Sequence, residues 1–210
     1  MEITIDDLQK SYGQRRILDV PHHVFEGGAI HQICGANGAG KSTLFEILCL
    51  LDEEYSGRVT VGRTDLRAIP ADGRTVTCVF QQPVMLHRSV WDNLAYPLRL
   101  KGTTEAAIRQ DLAFYLDYLP LDPLLQQKAT NCSLGEAQKI SLIRGLAMKT
   151  PVLLLDEPFS AMDAASRERS LALILEHQKQ YDTTILMISH RELEHPMMKL
   201  HYLEGGKLRT

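Results

Sequence analysis

Gly35-Ala36-Asn37-Gly38-Ala39-Gly40-Lys41-Ser42-Thr43, written GANGAGKST, decides how this 210-residue chain is read. It follows the strand-like AIHQIC (29–34) and runs into KSTLFEILCLL, which has helical character from Lys41. Two glycines five apart, then Lys-Ser-Thr, between a strand and a helix, is the pattern of a phosphate-cradling loop. Glycines let the backbone wrap so that successive N–H groups, including those of Asn37 and Ala39, face a β-phosphate. The helix start adds a favourable dipole. Lys41 places a point charge between β- and γ-phosphates. Ser42 offers a hydroxyl to Mg²⁺, a hard cation that prefers oxygen.

Working outward, Leu153-Leu154-Leu155-Asp156-Glu157 puts two carboxylates at the carboxyl end of an apolar run. That run is too short for a helix and is bounded by Pro151, as suits a strand buried on both faces. In an open α/β sheet its carboxyl end lies on the phosphate-loop side. Asp156 suits a water-mediated Mg²⁺ contact. Glu157 suits proton abstraction from, or orientation of, an attacking water.

The remaining pattern fits an α/β fold with a parallel sheet flanked by helices. EITIDDL, RRILDV and HHVF are short β-rich segments; RVTVG (58–62) and TVTCVF (75–80) alternate like strands. Helical spacing runs from Trp91 to Leu119 and again from about Leu134 to Met148. ASRERSLALILEHQKQ reads as a helix leading to a second buried strand, TILMI (184–188), and HYLEGGKLRT as a hairpin turned at Gly205-Gly206. The helical block at about 83–147 reads as a separate lobe. It interrupts a core of about 1–82 and 148–210 in a single domain spanning 1–210.

Composition sets limits on partners. The formal net charge is −3, with 44% hydrophobic and 23% charged residues, which is ordinary globular usage. That charge argues against bulk attraction to nucleic acid or anionic lipid. The start, MEITIDDLQK, is acidic and alternating, unlike a signal peptide. No apolar run approaches the roughly 18 residues that span a bilayer, so a membrane role requires a partner. Cys34, Cys49, Cys78 and Cys132 lack CxxC spacing and read as reduced structural thiols of a cytosolic protein. The pair His22-His23 belongs to no HExxH motif, and His190 and His195, five apart, do not share a helix face, so a histidine-built metal site is not expected.

NCSLGEAQKI (131–140) poses a separate question. Serine followed three places later by glutamate, ahead of ISLIRGLAM, is a capping box. The same helix start can also hold a ligand.

Four further segments distinguish among chains with such a loop: Val79-Phe80-Gln81, the 131–140 stretch, Asp156-Glu157-Pro158-Phe159-Ser160-Ala161-Met162-Asp163, and Ile188-Ser189-His190. In this order and at these spacings the chain resembles the nucleotide-binding subunit of an ATP-binding cassette (ABC) transporter, over essentially all its residues. The resemblance implies a cassette fold: a mixed, largely parallel core sheet, an N-terminal antiparallel β subdomain and an inserted helical subdomain. It implies ATP and Mg²⁺ as cofactors and ATP hydrolysis as the activity. Gln81 matches the glutamine that touches Mg²⁺ and water and reports to the membrane partner. His190 matches the switch histidine at the γ-phosphate. Ser160–Asp163 matches a loop that crosses a dimer interface, and Tyr12 an aromatic residue stacked on adenine. Cys132-Ser133-Leu134-Gly135-Glu136 falls where the family has Leu-Ser-Gly-Gly-Gln. Ser133 and Gly135 retain the groups presented to the other subunit's γ-phosphate, whereas Cys132, Leu134 and Glu136 depart from the pattern and put the tightness of the closed dimer in doubt.

The implied partners are a second copy with ATP at the interface, separate transmembrane permease subunits and a solute-binding protein. The implied location is the cytoplasmic face of the membrane. Residues 80–102 resemble the matching region of oxyanion importers, particularly the tungstate type. An exporter ATPase, or one regulating a membrane-bound non-transport partner, stays open at this level.

Overall fold

The computed structural model describes residues 1–69, 75–190, 192–193 and 195–209. In chain order the elements are β1 (Ile3–Tyr12), β2 (Arg15–Phe25), β3 (Ile30–Cys34), α1 (Lys41–Leu48), β4 (Ser56–Val61), β5 (Thr64–Asp65), β6 (Val76–Val79), α2 (Val90–Leu100), α3 (Glu105–Tyr118), α4 (Leu134–Leu146), β7 (Val152–Asp156), α5 (Ala164–Tyr181), β8 (Thr184–Ile188), β9 (Met198–Glu204) and β10 (Lys207–Arg209). They form two compact units. The first comprises Met1–Cys78, Thr150–Glu157 and Tyr181–Thr210; the second, Val79–Lys149 and Pro158–Gln180. Thr210, the last residue of the expected hairpin stretch, lies outside the described residues.

The first unit holds a four-stranded antiparallel sheet, β2-β1-β4-β5, and a six-stranded sheet, β10-β9-β3-β8-β7-β6. In the larger sheet β3 pairs parallel with β8 and β9, β7 pairs parallel with β8, and β9–β10 is an antiparallel hairpin. β3 and β8 are buried along their whole length, as both-face coverage requires. One core of Ile3, Phe25, Leu44, Ile47, Val59, Leu154 and Ile188 joins both sheets and α1.

Local irregularities in β1 aim its end. Ile3 and Ile5 are buried, but Asp7 adopts a left-handed conformation (φ 50°), and after it Leu8 and Lys10 are the inward residues. This one-residue shift is a bulge, and it carries the tail of β1, including Tyr12, into a new phase. Two of the short segments read from sequence, RRILDV and HHVF, are one continuous strand through Pro21. β2 lies at the sheet edge, where the missing proline N–H disrupts no ladder on that side.

The cysteines differ from expectation. Cys49, just after α1, and Cys78 in β6 are joined by a disulfide, their Cα atoms 6.3 Å apart. Spacing along the chain carried no trace of this, because the pair is 29 residues apart and is brought together by packing. Cys34 and Cys132 are free. Burial pushes the Cys34 thiol up to about 11, so it stays protonated and unreactive.

The second unit contains α2, α3, α4 and most of α5, and each helix start is capped by its own sequence. Ser89, Thr104 and Ser133 accept from the backbone N–H groups of Asp92, Ala107 and Glu136, and Asp163 accepts from Ser166 N–H. At its centre the fully buried Tyr115 donates its hydroxyl to the Leu146 carbonyl (3.2 Å) and meets His177 Nδ1 at 3.3 Å.

Buried histidines are a shared feature of both units. In the first, His23, His201 and His31 form a chain that ends on the Glu26 carbonyl, at 3.1, 2.9 and 2.9 Å. A carbonyl only accepts, so His31 must donate from Nε2 and accept at Nδ1. The same logic fixes His201 and His23 with their protons on Nε2. Burial lowers the pKa of all three, that of His201 to about 4, and it lowers His177 to about 4 as well. The unfolded chain therefore binds protons that the folded one refuses between about pH 6.5 and 4, and stability is full above that window and falls with pH inside it. Each such group steepens the loss by up to about 1.4 kcal/mol per pH unit. Urea midpoints should fall clearly from pH 7 to pH 5, and His177→Gln should flatten the profile. An unchanged midpoint over that range would show that these rings are not held neutral by burial.

Candidate functional site

The phosphate loop is built by what lies beneath it. β3 ends at Cys34, and the chain turns through Gly35–Gly40 into α1. Gly40 stands at the cap of α1 with φ 105°, and a Cβ there would sit 2.8 Å from a Leu18 methyl and 3.1 Å from the Ile17 carbonyl. Only glycine meets both demands. Consequently α1 has no side-chain cap and no acidic residue in its first turn, and its first N–H groups are left for an anion. Ala36, Asn37 and Gly38 form the exposed tip, and Ala39 N–H donates back to the Ala36 carbonyl (3.2 Å). The Lys41 ammonium is drawn over the loop, donating to the carbonyls of Gly35 (2.6 Å) and Ala36 (3.0 Å). Ser42 is exposed and Thr43 buried.

Strand order brings the other groups to the same edge. β3, β8 and β7 are parallel neighbours, so the loop after β3, Ser189-His190 after β8 and Asp156-Glu157 after β7 all leave one end of the sheet. Burial raises the Asp156 pKa, and His190 and Lys41 only partly oppose it. Glu157 turns left-handed (φ 45°) and donates its backbone N–H to the Ile188 carbonyl (3.0 Å). Its Oε1 is buried without a hydrogen-bond partner, 3.5 Å from His190 Nε2, and burial raises its pKa too. His190 itself is half exposed. A desolvated carboxylate beside an imidazole, next to a phosphate loop, can take a proton from water as a phosphate is attacked.

Tyr12 is 51% exposed and offers a ring face. Its hydroxyl donates to Asp52 (3.1 Å), and Asp52 pairs with the buried Lys10 at 2.7 Å. The Lys10 ammonium lies 4.8 Å from the Tyr12 ring centroid. Lys10 and Asp52 thus support Tyr12. Sequence reading missed both, because unbroken alternation from Ile3 and Ile5 would place Lys10 on the outward face of the strand.

The second unit carries Gln81, Ser133, Gly135, Glu136 and Asp163. Gln81 is exposed. The 131–140 stretch does form a capping box: the Ser133 hydroxyl accepts from Glu136 N–H (3.3 Å), and the Glu136 carboxylate accepts from Ser133 N–H (2.8 Å). Leu134, the bulky departure in that stretch, is 59% exposed. Asp163 caps α5, and the N–H and hydroxyl of Ser166 hold its carboxyl below the usual range. Sequence reading also passed over Gln138, an amide on the buried face of α4.

The family model described as ABC transporter matches residues 18–160. The chain belongs to the ABC transporter family. Its ATP-binding cassette is 40% identical to the tungstate uptake system ATP-binding protein TupC of Peptoclostridium acidaminophilum, over 99% of this chain and 97% of that protein. It is 34% identical to the spermidine/putrescine import ATP-binding protein PotA of Treponema pallidum, over 91% of this chain but 51% of that one. For the sulfate/thiosulfate import ATP-binding protein CysA of Burkholderia mallei the identity is 33%, over 92% of this chain and 57% of that one. The cassette therefore spans nearly all of TupC but only about half of the other two relatives. Among solved structures, an ATP-binding subunit of an ABC transporter superposes with a TM-score of 0.87 at 23% identity, covering 100% of this chain and 89% of that one. The cbiO1 subunit from Clostridium perfringens gives 0.83 at 22%, covering 99% and 86%. These two likenesses bear on the fold, a P-loop cassette of the ABC type, and the family makes the chain an ABC-type ATPase that binds ATP. No helix among the described residues is long and apolar enough to cross a membrane.

Gly40→Ala tests the loop's construction. The strained cap and the contact with Leu18 should lower stability by about 1–3 kcal/mol and weaken ATP binding at least tenfold. Urea unfolding without nucleotide, beside calorimetric titration with ATP, separates the two effects. Parent-like values in both would refute this account of the cap.

Proposed function

We propose that this cassette powers transport through separate membrane-spanning subunits by closing head to tail with a second copy over shared ATP. The observation that carries the hydrolytic reading is the buried, unpartnered Glu157 Oε1 beside His190, at the sheet edge that bears the phosphate loop. In this reading Tyr12 stacks on adenine and the loop amides with Lys41 hold the β- and γ-phosphates. Lys41 exchanges the carbonyls of Gly35 and Ala36 for phosphate oxygens. Glu157 accepts a proton from the attacking water, and the exposed His190 ring contacts the γ-phosphate. Gln81 keeps the reporting role toward the membrane partner and Mg²⁺ that the resemblance gives it.

A hard divalent cation suits the residues present. Ser42 and Asp156 offer only oxygen, and a cation at Asp156 relieves the burial that raises its pKa. Mg²⁺ held there would neutralise phosphate charge. Ser133 and Gly135 of the second copy clamp the γ-phosphate, and Asp163 lies in the segment crossing between copies. Binding closes the pair and hydrolysis reopens it, which biases a two-state membrane partner.

For cargo, the near end-to-end likeness to TupC favours import of an oxyanion such as tungstate, with a solute-binding protein in the same system and the cassette peripheral on the cytoplasmic face.

Glu157→Gln should retain ATP binding while slowing turnover by about two orders of magnitude or more, and should accumulate ATP-bound dimers on sizing chromatography. Undiminished hydrolysis would remove Glu157 from its role. Ser133→Trp in that background should abolish the dimers; their persistence would reject the clamp. Cells lacking this gene should lose tungstate uptake, measured by elemental mass spectrometry, and regain it with the parent gene but not with Glu157→Gln. Intact uptake in the deletion strain would overturn the cargo assignment.

A further inference from the structure

Gln138, on the second turn of α4, is 4% exposed and makes hydrogen bonds in three directions. Its Oε1 accepts from the Ala161 backbone N–H (2.9 Å). Its Nε2 donates to the Ser160 hydroxyl (2.7 Å) and, at greater length, to the Gln81 carbonyl (3.4 Å). The amide orientation follows from chemistry, because a backbone N–H can only donate and a carbonyl can only accept. Neither kind of charged side chain could satisfy both at once, since a carboxylate has no donor and an ammonium no acceptor.

A second, independent close approach involves Ala161, at its other peptide group. A Cβ on Gly135, one turn earlier on α4, would come within 2.8 Å of the Ala161 carbonyl. The N–H of Ala161 is thus tied to Gln138 while its carbonyl lies against Gly135. The segment Ser160–Ala161 has little freedom to move without α4.

We propose that Gln138 is a positioning residue: it locks the Ser133–Gly135 tip of α4, the Ser160–Asp163 segment and the Gln81 backbone into one rigid piece. This rests on the reading of Ser133 and Gly135 as the clamp on a second copy's nucleotide. The hydrogen bonds of Gln138 run to Ser160, Ala161 and the Gln81 backbone. Gln138 thus sets where the clamp and the crossing segment stand relative to one another, so both reach the second copy together.

The test uses the full chain. Gln138→Leu keeps the approximate size and loses every bond. It should leave ATP affinity of the single cassette within about twofold, lower kcat at least about tenfold, and weaken ATP-dependent dimerisation at least about tenfold in the Glu157→Gln background. Gln138→Glu retains the acceptor for Ala161 N–H, loses the Nε2 donors to Ser160 and Gln81 and sets a buried carboxylate against the Gln81 carbonyl, so kcat should again fall, by at least about threefold. It also serves if the leucine variant does not fold. Hydrogen exchange at the Ala161 amide should speed up in Gln138→Leu and stay slow in Gln138→Glu. If either folded variant dimerises and turns over like the parent, or if exchange at Ala161 is unmoved in Gln138→Leu, the positioning role is wrong. Should Glu157→Gln alone fail to form ATP-bound dimers, the clamp reading fails instead, and the exchange measurement still judges the contact between Gln138 and Ala161.

Discussion

Parallel pairing of β3, β8 and β7 is the constraint on which the rest depends. Strands that run the same way deliver their carboxyl ends to one edge, and burial on both faces leaves little room for slippage. The chemistry-bearing residues come immediately after those ends, so a shift of one residue in any strand would turn its terminal side chain toward the opposite face. The buried strands IHQIC, VLLL and TILMI are therefore the template that sets Lys41, Glu157 and His190 at neighbouring positions.

At that edge, burial and charge work against each other. Asp156 and Glu157 are adjacent carboxylates, both pushed toward protonation by burial, Glu157 further by Asp156 and Asp156 by Glu46, with His190 and Lys41 as partial compensation. A rigid, half-desolvated anionic pair is costly to fold around, and the left-handed Glu157 adds backbone strain. Such a site gains most from what neutralises it. A cation beside Asp156 and a phosphate drawing Lys41 off its carbonyls would redistribute charge in a region where screening is weak. In the proposed reading, stability lost to this arrangement would return as binding free energy when nucleotide and cation bind.

Much of this was legible in the chain because it is local. GANGAGKST states its own turn, the apolar runs state their burial, and Ser133 with Glu136 states a capping box that the structure contains. What escaped is long-range or irregular. Cys49 and Cys78 are 29 residues apart and meet only because the fold brings the residue after α1 up to β6. The bulge at Asp7 carries no glycine or proline, so nothing marked the change of phase that buries Lys10 beneath Tyr12. Pro21 reads as a strand break until β2 is known to be an edge. Gln138 was visible only as an amide on an apolar face, and its partners come from segments more than 20 residues away on either side.

In the proposed closure, Ser133 would serve as helix cap and as phosphate donor at once. Its hydroxyl uses a lone pair to accept from Glu136 N–H, which leaves the O–H free to donate. A phosphate oxygen can take that proton without dismantling the cap. Glu136 is a different matter. Where the family pattern has a neutral glutamine, this chain places a carboxylate, fixed on Ser133 N–H at 2.8 Å. The same dipole that favours this carboxylate is then partly neutralised before any phosphate arrives, and the two anions repel. In the proposed head-to-tail closure this carboxylate would favour the free helix over the clamp, and closure would lean more heavily on contacts other than the γ-phosphate. The rigid seat that Gly135 and Gln138 make for Ser160 and Ala161 presents such contacts with little entropy left to lose.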